Sequence, residues 1–343
     1  MFNDFESTQH EVIMTEKEIK SHKKIFSRLS LAILSYILIS DGLSIAFSFI
    51  LGTIAPNLLQ NTNFTLVLSS VLQYLIAFPI LWVIVQKMPR QAPFEYKIGA
   101  KGFLKFTAIS VFVMYVGNYI SSYLMVYIES ALGRNTENAV NTVLDNTNII
   151  LSLILVGIIG PIIEEIMFRK LLIDRLTPYG EIIAILFPAL MFGLFHCNLY
   201  QFFYAFFLGI IFSYVYLRTG KIIYSTILHI FINIFFGILP SAIFTNFDLD
   251  KFIELAASGN ISEEYIMANL VPLIGLIIYE FVSYGFIFAG LILFIKNLRH
   301  TVLSKGSVRF PKGVAADVIF FNVGTIAVIT VCLILTALIT FLS

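Results

Sequence analysis

The chain has 343 residues, of which 58% are hydrophobic and 13% charged, with a mean hydropathy of +0.90. Soluble domains carry about a quarter charged residues, so the composition excludes one. A net charge of +1 gives no hold for nucleic acid or for another strongly charged partner.

Met1–Ser27 mixes both signs of charge and reads as a solvated, part-helical tail. The first apolar run starts near Leu31 and is too long for a signal-peptide core, so the chain is expected to stay in the membrane uncleaved. A helical span needs about 20 apolar residues. Nine candidates follow: Leu31–Ile54, Phe64–Val85, Phe103–Ile128, Ile149–Leu176, Ile182–Cys197, Phe202–Leu217, Ile222–Phe244, Ile266–Ile295 and Val318–Leu342. The fifth and sixth are short and share a tight connection around Asn198–Gln201. The expected fold is therefore all-α, a polytopic bundle of about nine spans, with eight as the other count. It divides into a tail (1–28), N-terminal spans (29–147), a motif-bearing core (148–245) and an outer loop with C-terminal spans (246–343).

With the N-terminus in the cytoplasm and sides alternating, 20 of the 22 Lys and Arg fall on inner segments; only Arg134 and Lys251 fall outside. This is the positive-inside signal. The outer loops Glu129–Asn148 and Thr245–Glu264 are acidic or neutral, with no fold of their own expected. Cys197 and Cys332 lie in apolar stretches, which favours small apolar filling over a disulfide or a cysteine metal site.

An ionisable residue inside a span is a functional hypothesis by default. Asp41 and Glu280 stand mid-span in the first and eighth candidates and are read first as members of helix–helix polar networks. The dense set lies in spans four to seven. Glu164, Glu165 and Arg169 follow Gly160-Pro161; Phe192 and His196 end span five; His229 and Asn233 lie in span seven. Residues four apart share a helical face, so Arg169 can neutralise Glu165 and leave Glu164 free. The Glu165–Arg169 pair is read as structural, Phe192 as packing, and Asn233 either as a helix bridge or as a working group. If span four continues past Arg169 to Leu176, Glu164 sits roughly 18 Å deep, with His229 about 12 Å and His196 about 22 Å from their own ends. Only then can the three motifs meet near mid-membrane. Such groups can activate water: Glu164 as general base, His196 to position the water, His229 and Asn233 to bind the oxyanion.

At these residues the chain resembles the CPBP family, the CAAX-processing type II and bacteriocin-processing membrane proteases also called Abi. The pattern is Glu-Glu-x-x-x-Arg, Phe-x-x-x-His and His-x-x-x-Asn, running here from about Gly160 to Phe235. The resemblance implies an intramembrane endopeptidase with Glu164 catalytic, His196 paired with it, and His229 and Asn233 stabilising the oxyanion. Family members are described both as metalloproteases and as glutamate-dependent enzymes. Glu164, His196 and His229 would be the ligands of a zinc ion, and the sequence leaves both readings open, together with the oligomeric state. There is no His-Glu-x-x-His motif or Gly-x-Ser-x-Gly elbow.

The expected substrate is a membrane-associated peptide or protein. Heavy use of Ile, Phe, Asn and Lys suggests an AT-rich bacterial source, hence a plasma-membrane protein acting on a peptide precursor or membrane protein rather than a prenylated one. The competing class is a non-enzymatic immunity or scaffold protein on the same fold, which has no use for a free Glu164. A transporter using Asp41 and Glu280 is weaker, because paired repeats are absent.

Overall fold

The first helix starts at a Thr-x-x-Glu signal. Thr15 Oγ1 accepts the Glu18 amide at 3.3 Å, and the Glu18 carboxylate accepts the Thr15 amide at 2.8 Å, a capping box. A computed structural model describes residues 14–136, 138–244 and 247–342; the first thirteen residues of the expected tail lie outside these. From the box, α1 runs without a break over Glu16–Ile54. The expected solvated tail therefore ends sooner, since Phe26 is already fully buried.

The described residues are otherwise helices and short connections, with no strand among them. The long elements are α1, α2 (Thr62–Gln86), α3 (Ala100–Leu132), α4 (Ile149–Tyr179), α5 (Glu181–Phe195), α6 (Leu199–Thr219), α7 (Ile222–Ile243), α8 (Leu270–Leu298) and α9 (Val323–Phe341). Eight of these are long and apolar enough to cross a membrane, which makes this a multi-pass membrane protein. The exception is α5. Its 15 residues span about 22 Å, short of the roughly 30 Å hydrocarbon core. The sixth element, expected to be short, is 21 residues long because Asn198 caps it early. Both outer loops, expected to be irregular, hold short helices, among them Ala139–Asn146 and Leu249–Ala257.

The element that matters most for the site is α4. It does continue past Arg169 to Tyr179, so the length that the motifs need is present. It is not a uniform α-helix: Leu153–Ile159 and Ile166–Ile173 are π-helical, on either side of Gly160–Glu165. Leu72–Ala77 in α2 and Asn233–Ile238 in α7 are π-helical too. Three of these stretches end two residues before a proline, namely Pro79, Pro161 and Pro240. A proline ring crowds the carbonyl four residues back and gives it no N–H, and a wider turn relieves both faults.

Two layers of core meet around α4 to α7. One joins Ile33 and Ile37 of α1, Leu81 of α2, Met167 and Phe168 of α4, Met191 of α5 and Val328 of α9. The other joins Val111 of α3, Phe212 and Val215 of α6, and Leu228 of α7, with Phe286 of α8 packed on it. Glycine sets the close approach: a Cβ on Gly117 of α3 would stand 2.5 Å from Tyr204 Cα of α6. Large apolar side chains such as Phe49 and Phe281 point outward, 76% and 81% exposed.

One end of the bundle gathers the basic connections. Main-chain bonds link Gln91 to Asp174, Tyr96 to Thr219 and Val308 to Pro178. Ion pairs join Arg218 to Glu181 at 2.7 Å and Lys23 to Asp317 at 2.8 Å. The N-terminal end of α1 lies at the same end, with His22 Nδ1 2.9 Å from Tyr179 Oη.

Candidate active site

The site is built from α4, the α5–α6 turn and α7. Glu165 and Arg169, four apart on α4, are both fully buried and form an ion pair at 3.1 Å, as the spacing predicts. Arg169 Nε and Nη1 make no hydrogen bond among the described residues. Its guanidinium instead lies over the rings of Phe192, 4.7 Å away, and Phe212, 5.4 Å away. Cation–π attraction is strongest where water is excluded. Phe192 is therefore more than filler: its ring also meets the edges of His196 and His229.

His229 stands between two carboxylates. Its Nδ1 is 3.1 Å from Glu165 Oε1 and its Nε2 is 3.6 Å from Glu164 Oε2. The first is a hydrogen bond and the second an ion-pair distance. Glu165 thus fixes the His229 ring, and Glu164 meets that ring rather than Arg169. The direct neighbour of Glu164 is His229, whereas the motif reading paired Glu164 with His196.

His196 is held differently. It closes α5, and Cys197 then turns through the left-handed region at φ +46°, uncommon for a residue other than glycine. Asn198 caps α6 by accepting the Tyr200 amide at 2.9 Å. This turn presents His196 toward α4. His196 Nδ1 is 2.7 Å from the Phe192 carbonyl oxygen. A carbonyl only accepts, so Nδ1 carries the proton and donates, leaving the Nε2 lone pair free.

Asn233 lies one turn beyond His229 and bridges helices, donating through Nδ2 to Val156 O at 3.0 Å. The reason is local. The Gly160 amide reaches back to Leu155 O, and the next residue in that register, Pro161, has no N–H for Val156 O. Asn233 supplies the missing donor.

A cavity of about 370 Å³ connects these parts to the rest of the bundle. Glu164 and His196 both line it, whereas His229 and Asn233 do not. Among the described residues, no three His, Cys, Asp or Glu side chains converge as a metal site needs. His229 Nδ1 is engaged by Glu165 and His196 Nδ1 by Phe192 O, so each ring has only its Nε2 for a further ligand. The facing wall comes from helices outside the motifs: Tyr36, Ser40 and Asp41 of α1 and Gln73 of α2. Asp41 thus belongs to the cavity, where the sequence reading placed it in a helix–helix network. Its charge in mid-span was the available signal. Glu280 is not among the lining residues.

Residues 146–235 match the family model described as type II CAAX prenyl endopeptidase Rce1-like. All seven motif residues fall inside that segment, which is about a quarter of the chain. The chain is also 26% identical over 172 residues to the Bacillus subtilis (strain 168) protein described as "Putative membrane peptidase YdiL", covering 50% of this chain and 70% of that one. No solved structure matches.

Proposed function

We propose that this chain is an intramembrane endopeptidase that hydrolyses a peptide bond in a membrane-associated protein or peptide, with Glu164 as general base. The observation that carries the reading is the shared cavity. Glu164 and His196, brought from different helices, open on one polar space, and the Glu165–Arg169–His229 set braces Glu164 from behind.

In this reading Glu164 takes a proton from a water whose oxygen attacks the peptide carbonyl carbon. The C–N bond then breaks and Glu164 returns the proton to the leaving amine. One water is consumed, and one carboxyl and one amine are formed. His196 accepts a hydrogen bond from the attacking water through Nε2. Asn233 donates to the oxyanion by turning its amide from Val156 O to the substrate, while His229 holds Glu164 in place from behind. Such a donor is worth about 3–4 kcal/mol in comparable sites. Glu165 and Arg169 act through His229 and are positioning residues.

The matched family points to cleavage of the CAAX type, and the bacterial relative to a membrane peptidase of a bacterium; we favour a peptide precursor or membrane protein as substrate, in the plasma membrane. The basic end of the bundle supports a cytoplasmic N-terminus. Cells expressing wild type, Glu164→Gln or His196→Ala at equal membrane abundance test the reading through mass spectrometry of peptide termini. New termini should appear only with wild type. Identical termini in all three would sink it.

A further inference from the structure

The wall of the cavity opposite Glu164 carries a second carboxylate. Asp41 is the only charged residue between Leu31 and Ile54. It stays exposed within α1 and lines the cavity. Its carboxylate accepts a hydrogen bond from its neighbour Ser40 at 3.3 Å. Among the described residues it has no ion-pair partner. Glu165, by contrast, pairs with Arg169, and Glu164 faces the His229 ring.

The rest of the wall adds neutral polar groups rather than cations. Tyr36 donates to Gln73 Oε1 at 3.5 Å and Ser40 to Ile37 O at 3.0 Å; both residues line the same space, and no Lys or Arg lines the cavity. A charge at this depth costs several kcal/mol unless it is paired. Among the described residues none supplies a counter-charge to Asp41, and the cavity is where one can enter.

We propose that Asp41 is a specificity-determining residue that binds a cationic group of the peptide substrate, a lysine or arginine side chain near the scissile bond. The inference rests on the peptidase reading of the same cavity. His22 of α1 and Tyr179 of α4 lie side by side and give the two helices a common level. Counting from it, Asp41 lies roughly 28 Å along the bundle and Glu164 roughly 22 Å. An offset of roughly 6 Å corresponds to about two residues of extended peptide. The cationic side chain thus belongs within two or three residues of the cleaved bond, on the side farther from the basic end. A carboxylate at that place is repelled.

The test uses the full chain in nanodiscs and internally quenched apolar decapeptides that carry a single Lys, norleucine or Glu at each position in turn. At one position, wild type should prefer Lys over norleucine by about tenfold in kcat/KM, with Glu below both. Asp41→Asn should bring the Lys-to-norleucine ratio to within twofold of one, and Asp41→Glu should keep most of the preference. Because the readout is a ratio, partial loss of folded protein does not move it. A wild-type ratio near one at every position, or one that Asp41→Asn leaves intact, overturns the proposal.

Binding of the same peptides to Glu164→Gln and to Glu164→Gln/Asp41→Asn, read by fluorescence anisotropy, separates the two claims. The Lys preference should survive the first change and vanish with the second. Turnover at the wild-type rate in Glu164→Gln contradicts Glu164 as the base and leaves the binding ratio to judge Asp41.

Discussion

Replacing Arg169 with methionine isolates the buried ion pair from the rest of the site. The change keeps most of the side-chain volume and removes the guanidinium paired with Glu165, whose side chain is fully buried. Removing one member of a buried pair costs about 3–5 kcal/mol, because the other charge is left without compensation. Loss of the guanidinium over Phe192 and Phe212 adds about 1–2 kcal/mol. His229 Nδ1, still 3.1 Å from Glu165, offsets part of this through its hydrogen bond to the carboxylate. We therefore expect Arg169→Met to lose about 3–5 kcal/mol. The double variant Glu165→Gln/Arg169→Met should recover most of that stability, since no uncompensated charge remains. It should not recover activity, because a glutamine amide does not hold the His229 ring as a carboxylate does. Unfolding in mixed micelles by SDS titration gives the free energies, and peptide cleavage gives the activity. An Arg169→Met protein as stable as wild type, or a double variant less stable than the single one, would refute this reasoning.

Three further outcomes are expected. Asn233→Ala should cost about 1–3 kcal/mol by leaving Val156 O without a donor, and less than half of that in a Pro161→Ala background, where the new amide satisfies the same carbonyl; equal costs in both backgrounds would show that Pro161 is not the cause. Gly117→Leu should destabilise by about 1–3 kcal/mol or more, since its Cβ meets the backbone of Tyr204 and not a side chain that can move; an unchanged melting temperature in detergent would contradict the packing. A membrane-impermeant maleimide on intact cells should label Ser258→Cys and not Lys97→Cys, both positions being exposed at opposite ends of the bundle; the reverse pattern would invert the proposed orientation.

Much of this arrangement was legible in the chain, and the reasons are physical. Apolar runs of the right length located nine helices, because a bilayer leaves the backbone little alternative to helix, though α1 begins 15 residues before its apolar run. The i,i+4 rule paired Glu165 with Arg169, and the depth argument required α4 to pass Arg169, as it does to Tyr179. Three things were hidden. The contact between His229 and Glu164 depends on how α7 packs on α4, which no spacing within one helix encodes. The short α5 and its left-handed Cys197 turn depend on where Asn198 caps α6, a choice of a few residues. The place of Asp41 in the cavity depends on which helix lies against the motif helices, and a lone mid-span carboxylate does not tell a substrate wall from a helix–helix bond.

The measurement closest to the central claim is the hydrolysis itself. Purified wild type and Glu164→Gln, matched for folded protein, are incubated with the same peptide set and the products weighed by mass spectrometry. Wild type should give fragment pairs whose masses sum to the substrate plus one water. Glu164→Gln should give them more slowly by a factor of about 10²–10⁴, the usual contribution of a general base. Fragments formed at equal rates by both proteins, or by neither, would contradict the assignment of Glu164 as the base of a working peptidase.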